Sequence, residues 1–136
     1  MERHGGCACG AVRFAVTAPF MGVGACHCTD CQKASGGGPN YIALAPKEAF
    51  AVTRGEARLY RGTADSGAET VRAFCADCGT PLWSVPASLP FMPIKLGALD
   101  ECGDLAPQLH LYASSAQPWH PFGEGLPRFD KMPPAP

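Results

Sequence analysis

The sequence has little charge and no long apolar run, and both shortages narrow what the protein can be. Charged residues make up 17% of its 136 residues, and the formal net charge is −1. No basic patch is therefore expected to attract nucleic acid or an anionic membrane. No stretch approaches the roughly 18 apolar residues of a membrane span, and no signal peptide precedes the first cysteines. We expect a cytoplasmic protein with no nucleic-acid or membrane partner.

Two common catalytic motifs are also missing. There is no Gly-x-Ser-x-Gly elbow, and Gly36-Gly37-Gly38-Pro39 lacks the Lys-Ser/Thr ending of a phosphate-binding loop. No repeat, heptad pattern or linker divides the chain, and its length suits one domain. We expect residues 1–136 to form a single domain.

Proline and glycine are frequent, at 14 and 16 residues, and their spread along the chain disfavours long helices. Alternation of apolar and polar residues predicts short strands. These strands are 11–16, 41–44, 49–53, 57–61, 69–74, 80–85, 92–96 and 108–112. One or two helical turns are expected within 28–35, and an irregular tail from Ala113. The sequence thus predicts a mainly β domain of small sheets with at most short helical turns.

Cysteine, by contrast, is abundant, and seven of the eight cysteines fall into three clusters. These are Cys7 and Cys9; Cys26, Cys28 and Cys31; and Cys75 and Cys78. Cys-x-Cys and Cys-x-x-Cys are chelating spacings, whereas four disulfides would suit a secreted protein. Four thiolates complete a tetrahedral zinc site, and three leave one position open. The count therefore predicts one closed structural site and one open, reactive site.

The two cysteine pairs suit the closed site. Cys7 and Cys9 share one face of an extended segment, and Cys75 and Cys78 have the spacing of a zinc knuckle. Each pair is followed at once by a glycine, which permits the positive φ of a knuckle turn. A structural zinc on these four cysteines is predicted, and the alternative is two separate reactive pairs or disulfides.

The remaining cluster suits the open site, because Cys26, Cys28 and Cys31 can all reach one metal. His27 should point away from that metal and pack or support the ligands. Asp30 could be a ligand, but thiolate-rich zinc rarely needs a carboxylate. The fourth position is left for water, a substrate thiol or a distant residue. The candidates for that residue are Cys102, His110 and His120.

Three thiolates and Zn²⁺ carry a net charge of −1, and sulfur donation makes the metal a weak Lewis acid. Such a metal is poorly suited to activating water. It is well suited to holding another sulfur ligand as thiolate at neutral pH, although a free thiol has a pKa near ~8.5. The open site therefore predicts a thiol substrate and not the hydrolysis of an amide or phosphate ester.

Longer motifs surround the cysteines and carry a resemblance to a known family. They include 6–14, 26–33, 74–82, 110–112 and 125–129. In these motifs the chain resembles, nearly end to end, the glutathione-dependent formaldehyde-activating enzyme family, also called centromere-protein-V-like. The resemblance implies β-sheets of the β-tent type, pinned by zinc. It implies a structural zinc on Cys7, Cys9, Cys75 and Cys78, and a catalytic zinc on Cys26, Cys28 and Cys31. The catalytic zinc is the one expected to be labile.

The resembled family is classed as carbon–sulfur lyases. Its named reaction interconverts S-hydroxymethylglutathione with glutathione and formaldehyde, which implies a small thiol and an aldehyde as partners. His110 lies in a matching motif and is the first candidate for the catalytic base. Lys33 could meet a substrate carboxylate, and the alternative is a solvated surface lysine. Cys102 is a departure from the family pattern, and we expect it to be an incidental small apolar residue.

Two other functions stay open at this point. A non-catalytic zinc module that binds protein partners would have two closed metal sites. A redox or metal-buffering protein would oxidise readily at Cys26, Cys28 and Cys31 and lose metal.

Overall fold

The computed structural model of the chain describes residues 2–86 and 89–133. In that part it contains ten strands, one α-helix and three single-turn 3₁₀ helices. The strands and the α-helix are β1 (Arg3–Gly6), β2 (Arg13–Val16), β3 (Val23–Cys26), α1 (Thr29–Ser35), β4 (Asn40–Pro46), β5 (Phe50–Arg54), β6 (Arg58–Thr63), β7 (Glu69–Phe74), β8 (Pro81–Ser84), β9 (Phe91–Lys95) and β10 (His110–Leu111). The mainly β prediction with short helical segments is confirmed. No helix in this part of the chain has the length and apolarity to span a membrane.

All eight predicted strand segments overlap an observed strand, and 69–74 matches β7 residue for residue. The prediction missed β1 and β3. Both have four residues, and their sequences, RHGG and VGAC, contain glycine. Neither sequence shows a clear alternation of apolar and polar residues, and glycine has low strand propensity, so the formation of these strands depends on pairing with neighbours.

The strands form two sheets. The smaller has the order β1-β2-β5, and the larger has the order β10-β3-β4-β9-β8-β7-β6. All pairs are antiparallel except β10 with β3, which is parallel. In the larger sheet Cys26 is paired with Asn40 on one side and with Leu111 on the other. The end of β3 is therefore enclosed by neighbouring strands.

Aromatic packing joins the two sheets. Phe14 of β2 is fully buried, and its ring lies 5.6 Å from Phe50 and 5.9 Å from Trp83 of β8. Trp83 contacts Phe50 edge-on at 4.9 Å. Burying such side chains contributes about 1.5–3 kcal/mol each. The alternation of apolar residues in β2 thus places its buried face against the larger sheet.

Gly55 allows the β5–β6 turn to approach the backbone before β2. Its φ is +70°, and an added Cβ would lie 2.0 Å from the carbonyl oxygen of Ala11. Gly67 has a similar φ of +88°, but a Cβ added there would meet no atom within 4 Å.

The left-handed conformation alone costs a non-glycine residue about 1–2 kcal/mol. We expect Gly67→Ala to lose about that much, and Gly55→Ala to lose clearly more because backbone must move. Urea denaturation of both variants measures the difference, and equal losses would contradict this account.

Candidate functional site

Four cysteines from two separate turns bring their sulfurs together. Cys7 and Cys9 lie between β1 and β2, and Cys75 and Cys78 lie between β7 and β8. The four sulfurs all lie within 4.8 Å of one another, with Cys9 3.6 Å from Cys7 and 3.7 Å from Cys75. Four sulfurs at this separation fit a tetrahedral zinc. A metal here would join the smaller sheet to the larger one.

The turns that carry these cysteines have the geometry of zinc knuckles. Gly10 and Gly79 have φ angles of +81° and +76°. Their amides donate to the carbonyl oxygens of Cys7 at 3.1 Å and Cys75 at 2.8 Å. The amide of Val12 donates to the Cys7 sulfur at 3.2 Å. Amides directed in this way favour the thiolate form of a cysteine.

The other three cysteines meet at the junction of β3 and α1. Cys26 is the last residue of β3, and Cys28 is the N-cap residue of α1. The amide of Cys31 donates to the Cys28 sulfur at 3.3 Å. The three sulfurs lie within 4.8 Å of one another; Cys26 and Cys31 are buried and Cys28 is half-buried. We call these three residues the three-thiol group.

Within residues 2–86 and 89–133, the three-thiol group has no fourth ligand: no histidine, further cysteine or carboxylate places a ligand atom close to its three sulfurs. Asp30 does not join it, although it lies between Cys28 and Cys31. Cys102 packs against the hydrophobic core instead. The group therefore leaves one position of a tetrahedral metal without a ligand from the described residues.

Two of the candidate fourth ligands belong to an aromatic cluster around His27. His27 is buried, and its Nε2 lies 2.9 Å from Nδ1 of His110. The rings of His120 and Phe122 pack 4.6 Å and 5.1 Å from the His27 ring. Burial lowers the pKa of His27 to about 4 and also lowers the pKa of His110. His110 Nε2 is buried and has no hydrogen-bond partner among the described residues.

The structure gives Cys31 side-chain partners that the sequence analysis did not single out. Asn40 Nδ2 and Arg72 Nη2 each lie 3.7 Å from the Cys31 sulfur, and both can donate to it. Lys95 Nζ donates to Asn40 Oδ1 at 2.5 Å, so one amide separates the lysine from the sulfur. The sequence contained one hint of this contact, because Lys95 is a charged residue at the end of the otherwise apolar strand β9. Sequence alone could not show what it would meet.

Negative charge is shared unequally within the three-thiol group. The pKa of Cys31 is lowered to about 2, because Cys26 and Cys28 donate hydrogen bonds to its thiolate and Arg72 supports it. The pKa of Cys26 is raised, chiefly by its hydrogen bond with Cys28. Burial lowers the pKa of Lys95 to about 8, although the nearby thiolates oppose that shift. Without a cation the group crowds ionisable sulfurs together, and a cation would relieve the crowding.

Two cavities open beside the partners of Cys31. One of about 410 Å³ lies between α1 and strands β6 and β7, and is lined by Lys33 and Arg72. The other, of about 420 Å³, is lined by Asn40 and Lys95. Both volumes are in the range of small-molecule sites. Cys31 thus lies close to space in which a small ligand could bind.

Comparison with known proteins agrees with this arrangement. A family model described as glutathione-dependent formaldehyde-activating enzyme matches residues 2–115. The chain is 35% identical over 87 residues to a Halomonas elongata protein whose provisional name is the same. That match covers 61% of this chain and 55% of the relative, so it spans about half of the relative's length.

A solved structure has a similar fold. A crystal structure of a Rhodobacter sphaeroides protein matches with a TM-score of 0.56 and 24% identity, over 71% of this chain and 87% of that one. This similarity supports the fold of the chain. The chemistry of the chain is inferred from the residues of the site.

Proposed function

The chain belongs to the glutathione-dependent formaldehyde-activating enzyme family, and on that basis we propose that it is a zinc-dependent carbon–sulfur lyase. Its substrate would be a thiol–aldehyde adduct such as S-hydroxymethylglutathione, formed from and cleaved to glutathione and formaldehyde. The observation that carries the proposal is the three-thiol group, which gains no fourth ligand from the described residues. The side chains of Asn40 and Arg72, which contact its Cys31 sulfur, each line a cavity.

The donor sets fit two zinc ions with different roles. Cys7, Cys9, Cys75 and Cys78 would hold a structural zinc, and Cys26, Cys28 and Cys31 a catalytic one. Zinc bound to the three-thiol group supplies one kind of chemistry, the stabilisation of a substrate thiol as its thiolate near neutral pH.

The protein's own residues complete the site. Asn40 and Arg72 direct N–H groups at the Cys31 sulfur, which orients this ligand and offsets part of its charge. The cavity lined by Lys33, Arg72 and Asp30 holds two cationic side chains and one carboxylate, and binding of a substrate carboxylate by the two cations stays a prediction. Binding both substrates beside the three-thiol group would replace a bimolecular encounter by a positioned one.

The role of His110 as catalytic base stays a prediction. Its Nδ1 is engaged with His27, and its buried Nε2 has no partner in residues 2–86 or 89–133. Replacing His110 with glutamine therefore tests whether His110 acts as a catalytic base or only packs in the aromatic cluster.

The experiment that tests the proposed function is zinc analysis combined with a turnover assay. We expect two zinc ions per chain, glutathione binding that perturbs the second of them, and acceleration of adduct breakdown above the uncatalysed rate. S-methylglutathione is the matched control ligand, because it keeps the carboxylates but cannot form a thiolate. If the chain binds two zinc ions, neither is perturbed by a thiol, and no turnover is seen, the result would instead indicate a zinc-stabilised protein-interaction module.

A further inference from the structure

Lys95 is a half-buried lysine whose charge has no carboxylate partner in the described part of the chain. Its Nζ donates to the amide oxygen of Asn40, and the negative groups that act on it most strongly are the sulfurs of the three-thiol group. Lysine is rarely buried unless it is paired, because removing an ammonium from water is costly. Lys95 is partly removed from water without a carboxylate partner among the described residues, and its place beside a candidate reactive site makes it a candidate functional group.

The position of Lys95 suits a reaction at the three-thiol group. One amide, that of Asn40, separates its Nζ from the Cys31 sulfur. The same lysine lines the cavity of about 420 Å³. An ammonium has three N–H donors, and Asn40 accepts from one of them in the structure. The others are available to a ligand in the cavity.

The lyase chemistry needs a group that carries one proton. When an adduct breaks down, its hydroxyl must lose a proton, and when it forms, the new alkoxide must gain one. We propose that Lys95 is this group, the general base for adduct cleavage and the general acid for adduct formation. The inference rests on the proposed function, because it assigns a proton carrier to that reaction.

The proposed step balances in both directions. In cleavage, neutral Lys95 takes the hydroxyl proton, the oxygen's electron pair forms the C=O bond, and the C–S bond breaks with its electrons left on sulfur. In formation, the thiolate sulfur bonds to the aldehyde carbon, the C=O π pair moves to oxygen, and ammonium Lys95 donates a proton to it. Solvent then restores the proton on the amine.

The neighbouring groups are less suited to this role. Arg72 is also a cation and contacts the Cys31 sulfur, but a guanidinium does not give up its proton in proteins. His110 contacts His27 through Nδ1, its Nε2 is buried, and its side chain lines neither of the two cavities. Burial brings the pKa of Lys95 down to about 8, where both of its protonation states exist near neutral pH.

The test compares Lys95→Gln, Lys95→Arg and Lys47→Gln in adduct cleavage. Lys47 is the matched control, a part-buried lysine with one hydrogen bond, to the Pro86 carbonyl. We expect Lys95→Gln to lower kcat by about 10²–10⁴-fold. Its zinc content, melting temperature and KM for the adduct should stay close to wild type. The kcat of wild type should fall towards acid pH as Lys95 becomes protonated. The kcat of Lys95→Gln should not show this fall.

Lys95→Arg separates proton transfer from charge. We expect it to be as slow as Lys95→Gln, since it keeps the positive charge but not a transferable proton. Near-wild-type activity in Lys95→Arg would show a purely electrostatic role and overturn the proposal. Near-wild-type activity in Lys95→Gln would overturn it too, and a large loss in His110→Gln alongside would assign the proton to His110. If wild type does not accelerate adduct cleavage, the proposed function itself fails.

Discussion

The Cys78→Ala variant is expected to be largely insoluble, or to unfold far below the melting temperature of wild type. Cys78 lies with Cys7, Cys9 and Cys75 in the four-sulfur group that connects the smaller sheet to the β7–β8 turn. Structural zinc contributes about 10–16 kcal/mol in zinc-finger peptides, and a typical domain is stable by only about 5–15 kcal/mol. Losing even part of the zinc contribution should therefore unfold the chain. Thermal unfolding and zinc content of the soluble fraction measure the effect.

The control for this variant is Cys102→Ala. Cys102 is a half-buried cysteine that packs against the core and lies outside both sulfur groups. Its replacement should remove only a small apolar contact, a loss of about 1 kcal/mol, and should leave the zinc content unchanged. If Cys78→Ala instead melts with wild type and keeps its zinc, the four-sulfur group does not stabilise the fold.

Replacing Cys28 should abolish activity and leave the chain folded. Cys28 is one of the three thiols at the junction of β3 and α1, which lies away from the four-sulfur group in sequence. Cys28→Ala should lose one zinc equivalent and all acceleration of adduct cleavage, because two thiolates hold zinc far less well than three. Circular dichroism, zinc analysis and the cleavage assay follow these properties separately.

Cys28 also has a local structural role that the test must separate. Its sulfur accepts from the Cys31 amide as the N-cap of α1, and losing a cap costs about 0.5–2 kcal/mol. Cys28→Ser keeps a good capping side chain and should therefore be more stable than Cys28→Ala but equally inactive. Unfolding of both variants would show that the three-thiol group is also structural, and full activity in Cys28→Ser would exclude it from catalysis.

The two variants together distinguish the roles of the metal groups. A folding defect in Cys78→Ala, together with loss of activity in Cys28 variants that still fold, fits one structural and one catalytic zinc. The opposite assignment, or equal behaviour of all variants, would contradict the proposed division.

The sequence by itself determined which cysteines form the two candidate metal sites, and where most of the strands lie. Chelating spacings are local, because residues two or three positions apart lie close together in the chain. Joining Cys7 and Cys9 to Cys75 and Cys78 depends in addition on how the two sheets pack. The positive φ at Gly10 and Gly79 follows from the same knuckle turns. Alternation located β7 residue for residue, because its buried and half-buried positions follow the period of a strand.

Only the tertiary structure decided what surrounds the three thiols. Asn40, Arg72 and Lys95 come from β4, β7 and β9, and pairing across the larger sheet brings them towards Cys31. Such contacts depend on strand order and register between segments far apart in the chain, which local patterns do not encode. The same reason explains β1 and β3, whose short glycine-containing sequences become strands through pairing with their neighbours.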